Sequence, residues 1–369
     1  MTAVSFLDAG AAYRELKPEI DSAIARVLAS GRYIGGAEVE GFEATFAAYC
    51  EAGHCVGVGN GLDALHLTLR ALGIGPGDEV ILASNGYIAT LLAVSMAGAA
   101  PVLVEPDPAT HNLDPAKVEG AITGRTKALL PTHLYGQPAD LDPLLEIARR
   151  HGLRVVEDAA QAHGARYKGQ RIGAHSDAVC WSFYPSKNLG AMGDAGAVTA
   201  NDADLIERVR ELGNYGSKVR YVNEVRGVNS RLDPLQAAIL GEKLKLLDEW
   251  NRRRTAIAAL YSDRLAGSGV TLPAVPNWAE PVWHLYVVRS DRRDALAAFL
   301  GERGVQTLIH YPIPPHLQGA YRDLLPRGGL PIAEQLAKEV VSLPIGPHLR
   351  AADAERVIEA VLDFDRKGR

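Results

Sequence analysis

The chain has 369 residues, 47% of them hydrophobic, which is enough for two domains and a substantial core. Its net charge of −5 supplies no basic field for nucleic acid, and no apolar run approaches the length needed to span a membrane. Three cysteines, Cys50, Cys55 and Cys180, are too few and too irregularly spaced for a disulfide framework or a zinc site. Met1–Ala11 has neither a basic start nor a sustained apolar stretch, so no secretory signal is read there and the cytoplasm is the expected compartment.

In chain order, seven short apolar runs read as strands: His54–Val58, Glu79–Ala83, Pro101–Val104, Ala128–Thr132, Leu153–Glu157, Ala178–Ser182 and Gly196–Thr199. Between the first two, Leu62, Leu65, Leu69 and Leu72 fall on one face at helical spacing. Asp142-Pro143 reads as the N-cap and first position of another helix, with Arg149-Arg150 at its negative end and His151-Gly152 closing it. This alternation predicts an α/β domain with a mostly parallel sheet that binds ligands at the strands' C-terminal ends.

Leu235–Leu265 reads as one long helix or two in succession, leading to a smaller α+β part with strand-like Leu285–Val288 and Val305–Ile309 and helix-like Ala351–Phe364. The expected division is residues 1–245 and 246–369. Arg252-Arg253-Arg254, beside Asp248 and Glu249, reads as a solvated helix face in preference to an anion site.

The most informative residues are Asp158 and Lys187. Asp158 ends one strand, and Lys187 follows the next on the loop Phe183-Tyr184-Pro185-Ser186-Lys187-Asn188. Any Asp and Lys can form a surface ion pair. An acid and an amine at adjacent strand ends are also what pyridoxal phosphate requires: the acid holds the pyridine nitrogen protonated and the amine holds the aldehyde as a Schiff base.

Gly57-Val58-Gly59-Asn60-Gly61-Leu62 joins the first strand to its helix, a turn that aims backbone N–H groups at an anion. It is an incomplete dinucleotide fingerprint, because position 62 is Leu and the acids Asp78 and Glu79 stand at the start of the second strand instead of following it. The glycines alone equally suit a tight turn; with Lys187 present, a cofactor phosphate is the better reading. Tyr87 after the second strand is placed to stack on a pyridine ring. Gln161 and Ser182 fall at the same sheet edge, where Gln161 could reach the ring's phenolic oxygen and Ser182 could donate to the phosphate.

These motifs resemble the sugar aminotransferases of the DegT/DnrJ/EryC1/StrS group, a branch of the fold-type I pyridoxal-phosphate enzymes. The resemblance runs from Gly57 to about Leu343. It rests on Asn60-Gly61-Leu62-Asp63-Ala64-Leu65, Glu157-Asp158-Ala159-Ala160-Gln161, Ser182 to Gly190, Gly193-Asp194-Ala195-Gly196-Ala197 and Asn229-Ser230-Arg231-Leu232-Asp233. It departs at Ser186, where similar sequences often carry Gly.

The resemblance implies a seven-stranded, mostly parallel sheet with a smaller C-terminal domain, and pyridoxal 5′-phosphate alternating with pyridoxamine phosphate. It makes Lys187 and Asp158 catalytic, and gives the cofactor Gly61, Leu62, Tyr87, Gln161 and Ser182. It also implies Asn229 from a neighbouring subunit, hence a homodimer. L-Glutamate is the implied amino donor.

For the substrate, the basic and aromatic residues Lys218, Arg220, Tyr221 and Arg231 are candidates for a nucleotide diphosphate, and Tyr184, His310 and Tyr311 for its sugar. The segments Asn214–Ser217, Gly227–Asp233 and Ile309–His316 are most similar to enzymes that aminate C3 of dTDP-3-oxo-6-deoxyhexoses. A dTDP-3-amino-3,6-dideoxyhexose is the expected product, in a deoxyamino-sugar pathway. The alternatives are amination at C4, a 3-dehydratase (whose pattern puts His where Lys187 stands), an amino-acid-directed fold-type I enzyme, and a cofactor-binding regulator.

Overall fold

The computed structural model describes residues 3–324 and 329–368. Seven strands form the main sheet: β1 His54–Val58, β2 Glu79–Ala83, β3 Ala100–Val104, β4 Thr126–Leu130, β5 Arg154–Asp158, β6 Ala178–Ser182 and β7 Gly196–Ala200. Their spatial order is β1-β7-β6-β5-β4-β2-β3. Pairings within β6-β5-β4-β2-β3 are all parallel, while β7 runs antiparallel to both β1 and β6. The sheet is thus mostly parallel, with one reversed strand.

Both faces are covered, so the strands have apolar centres, with polar residues such as His54, Glu79, Lys127, Arg154 and Asp158 near their ends. Alternate residues of β6 go to opposite cores: Val179 and Trp181 pack with Phe42, Phe46 and Leu240, whereas Ala178 and Cys180 pack with Leu65, Leu69 and Leu91. All three cysteines are buried and free.

The helices that position the site are α1 Gly61–Ala71, α2 Ile88–Met96, α3 Leu141–His151, α4 Ala203–Gly213, α5 Pro234–Leu244 and α6 Leu247–Arg264. The Leu235–Leu265 stretch is therefore two helices in succession. Helix α3 ends as expected, with Gly152 left-handed at φ 66°. Its start lies two residues earlier than the Asp142-Pro143 reading, at the N-cap Asp140. The Asp140 carboxylate accepts from the Tyr167 hydroxyl at 2.7 Å, and Asp142 falls in the first turn, where its charge suits the helix dipole.

Beyond α6 a second core gathers Ile257, Tyr261, Tyr286, Val341 and Val357 around an antiparallel pair, β8 Tyr286–Arg289 and β9 Val340–Leu343. Val4 near the N-terminus joins this core and bridges to Val305. Val305–Ile309 is not a regular strand: Val305 pairs with Val4 while Leu308 pairs with Ser342, so the segment is split between two partners. The arginine run is also only partly a solvated face. Arg252 is exposed, but Arg254 is 3% exposed. No helix among the described residues is long and apolar enough to cross a membrane.

Candidate active site

Lys187 sits on the loop after β6 and forms no ion pair or side-chain hydrogen bond among the described residues. The side chain keeps a path to solvent, yet protein surrounds it densely enough that burial pulls its amine down to about 8, with the Asp158 charge opposing. A lysine so placed is a nucleophile near neutral pH.

Asp158 ends β5 and is 6% exposed. Thr90 in the first turn of α2 donates to its Oδ2 at 2.7 Å, and the Ala160 N–H donates to Oδ1 at 3.1 Å. Each oxygen thus has one fixed donor and keeps a lone pair for a cationic partner. Behind it lies a second buried network. The Ala139 N–H donates to His133 Nδ1 at 2.9 Å, which leaves the ring proton on Nε2 for Glu157 at 2.8 Å. Ser176 donates to the other Glu157 oxygen at 2.6 Å, and the His133 N–H holds the Asp158 carbonyl at 3.0 Å.

The turn into α1 forms a cradle. Asn60 caps the helix by accepting from the Asp63 N–H at 2.8 Å, leaving the first-turn N–H groups of Gly61 and Leu62 without intrahelical partners. A Cβ on Gly61 would lie 2.5 Å from the Cβ of Ser182, so only glycine lets the helix N-terminus meet the end of β6. Ser230 ties this turn to the Asn229–Arg231 loop, accepting from the Gly59 N–H at 2.9 Å and donating to Asp63 at 2.6 Å. Glycine, free N–H groups and a hydroxyl fit the phosphate of pyridoxal phosphate, and Asp158 and Lys187 fit its ring nitrogen and aldehyde.

Gln161 joins both sides of the pocket. Its Oε1 accepts from the Tyr135 N–H at 2.6 Å and its Nε2 donates to the Tyr311 hydroxyl at 3.1 Å. Tyr135 holds a left-handed φ of 63°, and its hydroxyl donates to the His310 carbonyl. Gly136 follows at φ 95°, where a Cβ would sit 2.8 Å from the His284 nitrogen. Tyr87 and Tyr311 rings lie 5.3 Å apart, so the aromatic residue expected over the cofactor already has a tyrosine neighbour. Burial first, and the Lys187 charge second, lower His163 to about 3 and His310 to about 4; both are neutral at pH 7. His310 Nδ1 lies 2.8 Å from the Ser342 hydroxyl.

Asp158, Lys187, Gln161, Tyr87, His310 and Tyr311 therefore share one pocket, with Tyr184 exposed beside it and Gly61, Leu62 and Ser182 forming the cradle. Lys218, Arg220, Tyr221, Asn229 and Arg231 form a separate group. Lys218 pairs with Glu211 at 3.5 Å, Arg231 donates to Asn214 at 2.8 Å, and the Arg220 guanidinium lies over the Tyr221 ring at 4.8 Å. Asn229 and Tyr221 are exposed. No hydrogen bond or ring contact among the described residues joins these five side chains to Lys187 or Asp158, although Ser230 on the same loop holds the cradle turn. Sequence reasoning missed Thr90, Tyr135 and Ser230, whose partners lie far away along the chain.

A family model for the DegT/DnrJ/EryC1/StrS aminotransferases matches residues 14–362. Over 363 residues the chain is 59% identical to the dTDP-3-amino-3,4,6-trideoxy-alpha-D-glucose transaminase of Streptomyces venezuelae, covering 98% of this chain and 96% of that protein. Over 358 residues it is 54% identical to the dTDP-3-amino-3,6-dideoxy-alpha-D-galactopyranose transaminase of Aneurinibacillus thermoaerophilus, covering 97% and 98%. The crystal structure of S. venezuelae DesV in complex with a ketimine intermediate matches with a TM-score of 0.98 at 58% identity, covering 99% of each chain. With its sheet topology and its lysine–aspartate pocket, the chain belongs to the DegT/DnrJ/EryC1/StrS aminotransferase family, fold-type I enzymes that use pyridoxal phosphate.

Proposed function

We propose that this enzyme transfers an amino group from L-glutamate to C3 of a dTDP-linked 3-oxo-6-deoxyhexose, giving a dTDP-3-amino-3,6-dideoxyhexose. The observation that carries the reading is the placement of Lys187 on the loop after β6, within electrostatic reach of Asp158 at the end of the neighbouring strand β5 and with no ion-pair partner among the described residues. Both transaminases compared above are named for dTDP-linked 3-amino sugars, and this supports the carbon and the nucleotide.

In this reading the Gly61 and Leu62 N–H groups and the Ser182 hydroxyl receive the cofactor phosphate, Tyr87 stacks on its ring and Gln161 meets its phenolic oxygen. The bound cofactor supplies an electron sink and a carrier for the amino group. Asp158 keeps a proton on the ring nitrogen. Lys187 Nζ, once released, takes a proton from the donor α-carbon in one half-reaction and delivers one to the sugar C3 in the other. Tyr184, His310 and Tyr311 orient the sugar, with His310 acting as a neutral hydrogen-bonding group.

The Lys218, Arg220, Tyr221, Asn229 and Arg231 group serves the neighbouring subunit's site, which makes the working enzyme a homodimer. Asn229 reaches the neighbour's phosphate, and the cations meet the nucleotide diphosphate. The exposure of Asn229 and Tyr221, with no bond to Lys187 or Asp158 among the described residues, supports that assignment. The separate second core supports a division into residues 1–245 and 246–369, although Val4 crosses it. A cytoplasmic location suits the three buried free thiols.

The test offers the holoenzyme dTDP-3-oxo- and dTDP-4-oxo-6-deoxyhexoses with L-glutamate and locates the new amine by NMR. Amination at C3 is expected. Amination only at C4 would overturn the substrate assignment and leave the cofactor assignment standing.

A further inference from the structure

One buried cation, Arg254, touches none of the residues that hold the cofactor or the sugar. Arg254 lies on α6, and no carboxylate among the described residues comes within ion-pair distance of it. Its Nη1 donates to the carbonyls of Trp283 at 3.1 Å, His284 at 3.3 Å and Ile345 at 3.4 Å, while its buried Nε has no acceptor. Burial alone pulls the guanidinium down to about 10. Charges this deep are normally paired, so an uncompensated one asks for an anion.

Arg254 also lines the wall of a cavity of about 770 Å³, with Ser186, His284, Gln306, Thr307 and His310. Ser186 in the wall precedes Lys187 in the chain, so the cavity borders the loop that carries the reacting amine. His284 and His310, in the wall, both feel the Lys187 charge, and His284 feels Arg254 as well. Gln306 Oε1 accepts from the Phe6 N–H at 3.2 Å, which leaves its amide N–H groups without a partner among the described residues. No acidic side chain among the described residues lines the cavity. The neutral carbonyls on Nη1 tie the arginine in place but do not balance its charge.

We infer that the Arg254 cavity is the subsite for a carboxylate of the amino donor, with Arg254 as its charge partner and Gln306, Thr307 and Ser186 as polar wall groups. The inference rests on the transamination reading above and deepens it. It gives the two anionic substrates separate grips: the donor carboxylate at Arg254, and the nucleotide diphosphate at the Lys218–Arg231 group. Both half-reactions can then use one lysine without competing for one cationic site.

The test titrates the holoenzyme with glutarate, a dicarboxylate without an amino group, and follows thermal stabilisation. Native enzyme is expected to be stabilised, and Arg254→Gln to need at least about tenfold more glutarate. In single turnovers, the same variant should raise the L-glutamate concentration for half-saturation by at least about tenfold. The rate at which keto sugar consumes the pre-aminated enzyme should stay within about twofold of native. Ala297→Phe fills the cavity while leaving Arg254 in place, and should raise the glutamate requirement in the same way.

Unchanged glutarate binding in Arg254→Gln would overturn the inference. So would an equal loss of both half-reactions with Ala297→Phe silent, which marks a carbonyl clamp alone; if Arg254→Gln does not fold, Ala297→Phe decides. Failure of L-glutamate to convert native holoenzyme would instead remove glutamate as the donor, a result separate from glutarate binding.

Discussion

The lowered Lys187 amine makes a quantitative claim about how fast the empty enzyme captures its cofactor. Only the neutral amine attacks the aldehyde. With an amine titrating at about 8, roughly one molecule in eleven is neutral at pH 7 and roughly ten in eleven at pH 9. The second-order rate of pyridoxal phosphate capture by apoenzyme should therefore climb about tenfold from pH 7 to pH 9 and then level off. A lysine at its ordinary value of 10.5 would instead gain roughly a hundredfold over that span and still be rising.

The assay is stopped-flow absorbance of the Schiff base after mixing apoenzyme with pyridoxal phosphate across a pH series. Asp158 opposes the shift, so Asp158→Asn should move the midpoint lower and speed capture at pH 7 while abolishing most transamination. Linkage gives the matching sign for stability: between about 8 and 10.5 the unfolded chain holds the proton that the folded one has released, so this group's contribution to apoenzyme stability rises with pH. A capture rate with its midpoint near 10.5, or one faster at pH 7 than at pH 9, would refute the reasoning.

Three further outcomes follow from the same geometry. Thr90→Val removes the 2.7 Å hydrogen bond to Asp158 Oδ2, and with a cost of about 1–3 kcal/mol should weaken cofactor retention by about 5- to 150-fold, read by dialysis and absorbance. Gly61→Val places a branched side chain where a Cβ already meets Ser182 at 2.5 Å; the variant should fold, as shown by circular dichroism, but hold pyridoxal phosphate at least about a hundredfold less tightly. Asn229→Ala and Lys187→Ala, each inactive or weak alone, should regain part of the activity on mixing, because hybrid dimers contain one site with both residues intact; no recovery in mixed dimers would remove Asn229 from the neighbour's site.

The strands were legible because strands buried on both faces are short apolar runs, and β1, β2 and β6 begin and end where that pattern does. Boundaries slipped where a turn offered two equivalent residues, as with Asp140 and Asp142 at the start of α3. Val305–Ile309 carries a strand-like composition, yet its partners Val4 and Ser342 lie on different segments and composition does not record that. Within the site, Asp158 and Lys187 announce themselves through local motifs and strand ends. Thr90, Tyr135 and Ser230 do not, because each acts through a contact made only by folding: Thr90 to Asp158, Tyr135 to Gln161 and His310, Ser230 to Gly59 and Asp63. Arg254 was hidden for a related reason. Three adjacent arginines on a helix point in different directions, and the sequence does not say which one the second core covers.

The central claim is that Lys187 is the residue that holds the cofactor, and the fold contains a rival. Lys243 is also buried, its amine also lowered to about 8, but it donates to the Gly190 carbonyl at 2.6 Å. Reducing the holoenzyme with borohydride fixes the cofactor on its lysine, and peptide mass spectrometry then locates it. A single phosphopyridoxyl group on Lys187 is the predicted result; the group on Lys243, or on any other lysine, would contradict the account.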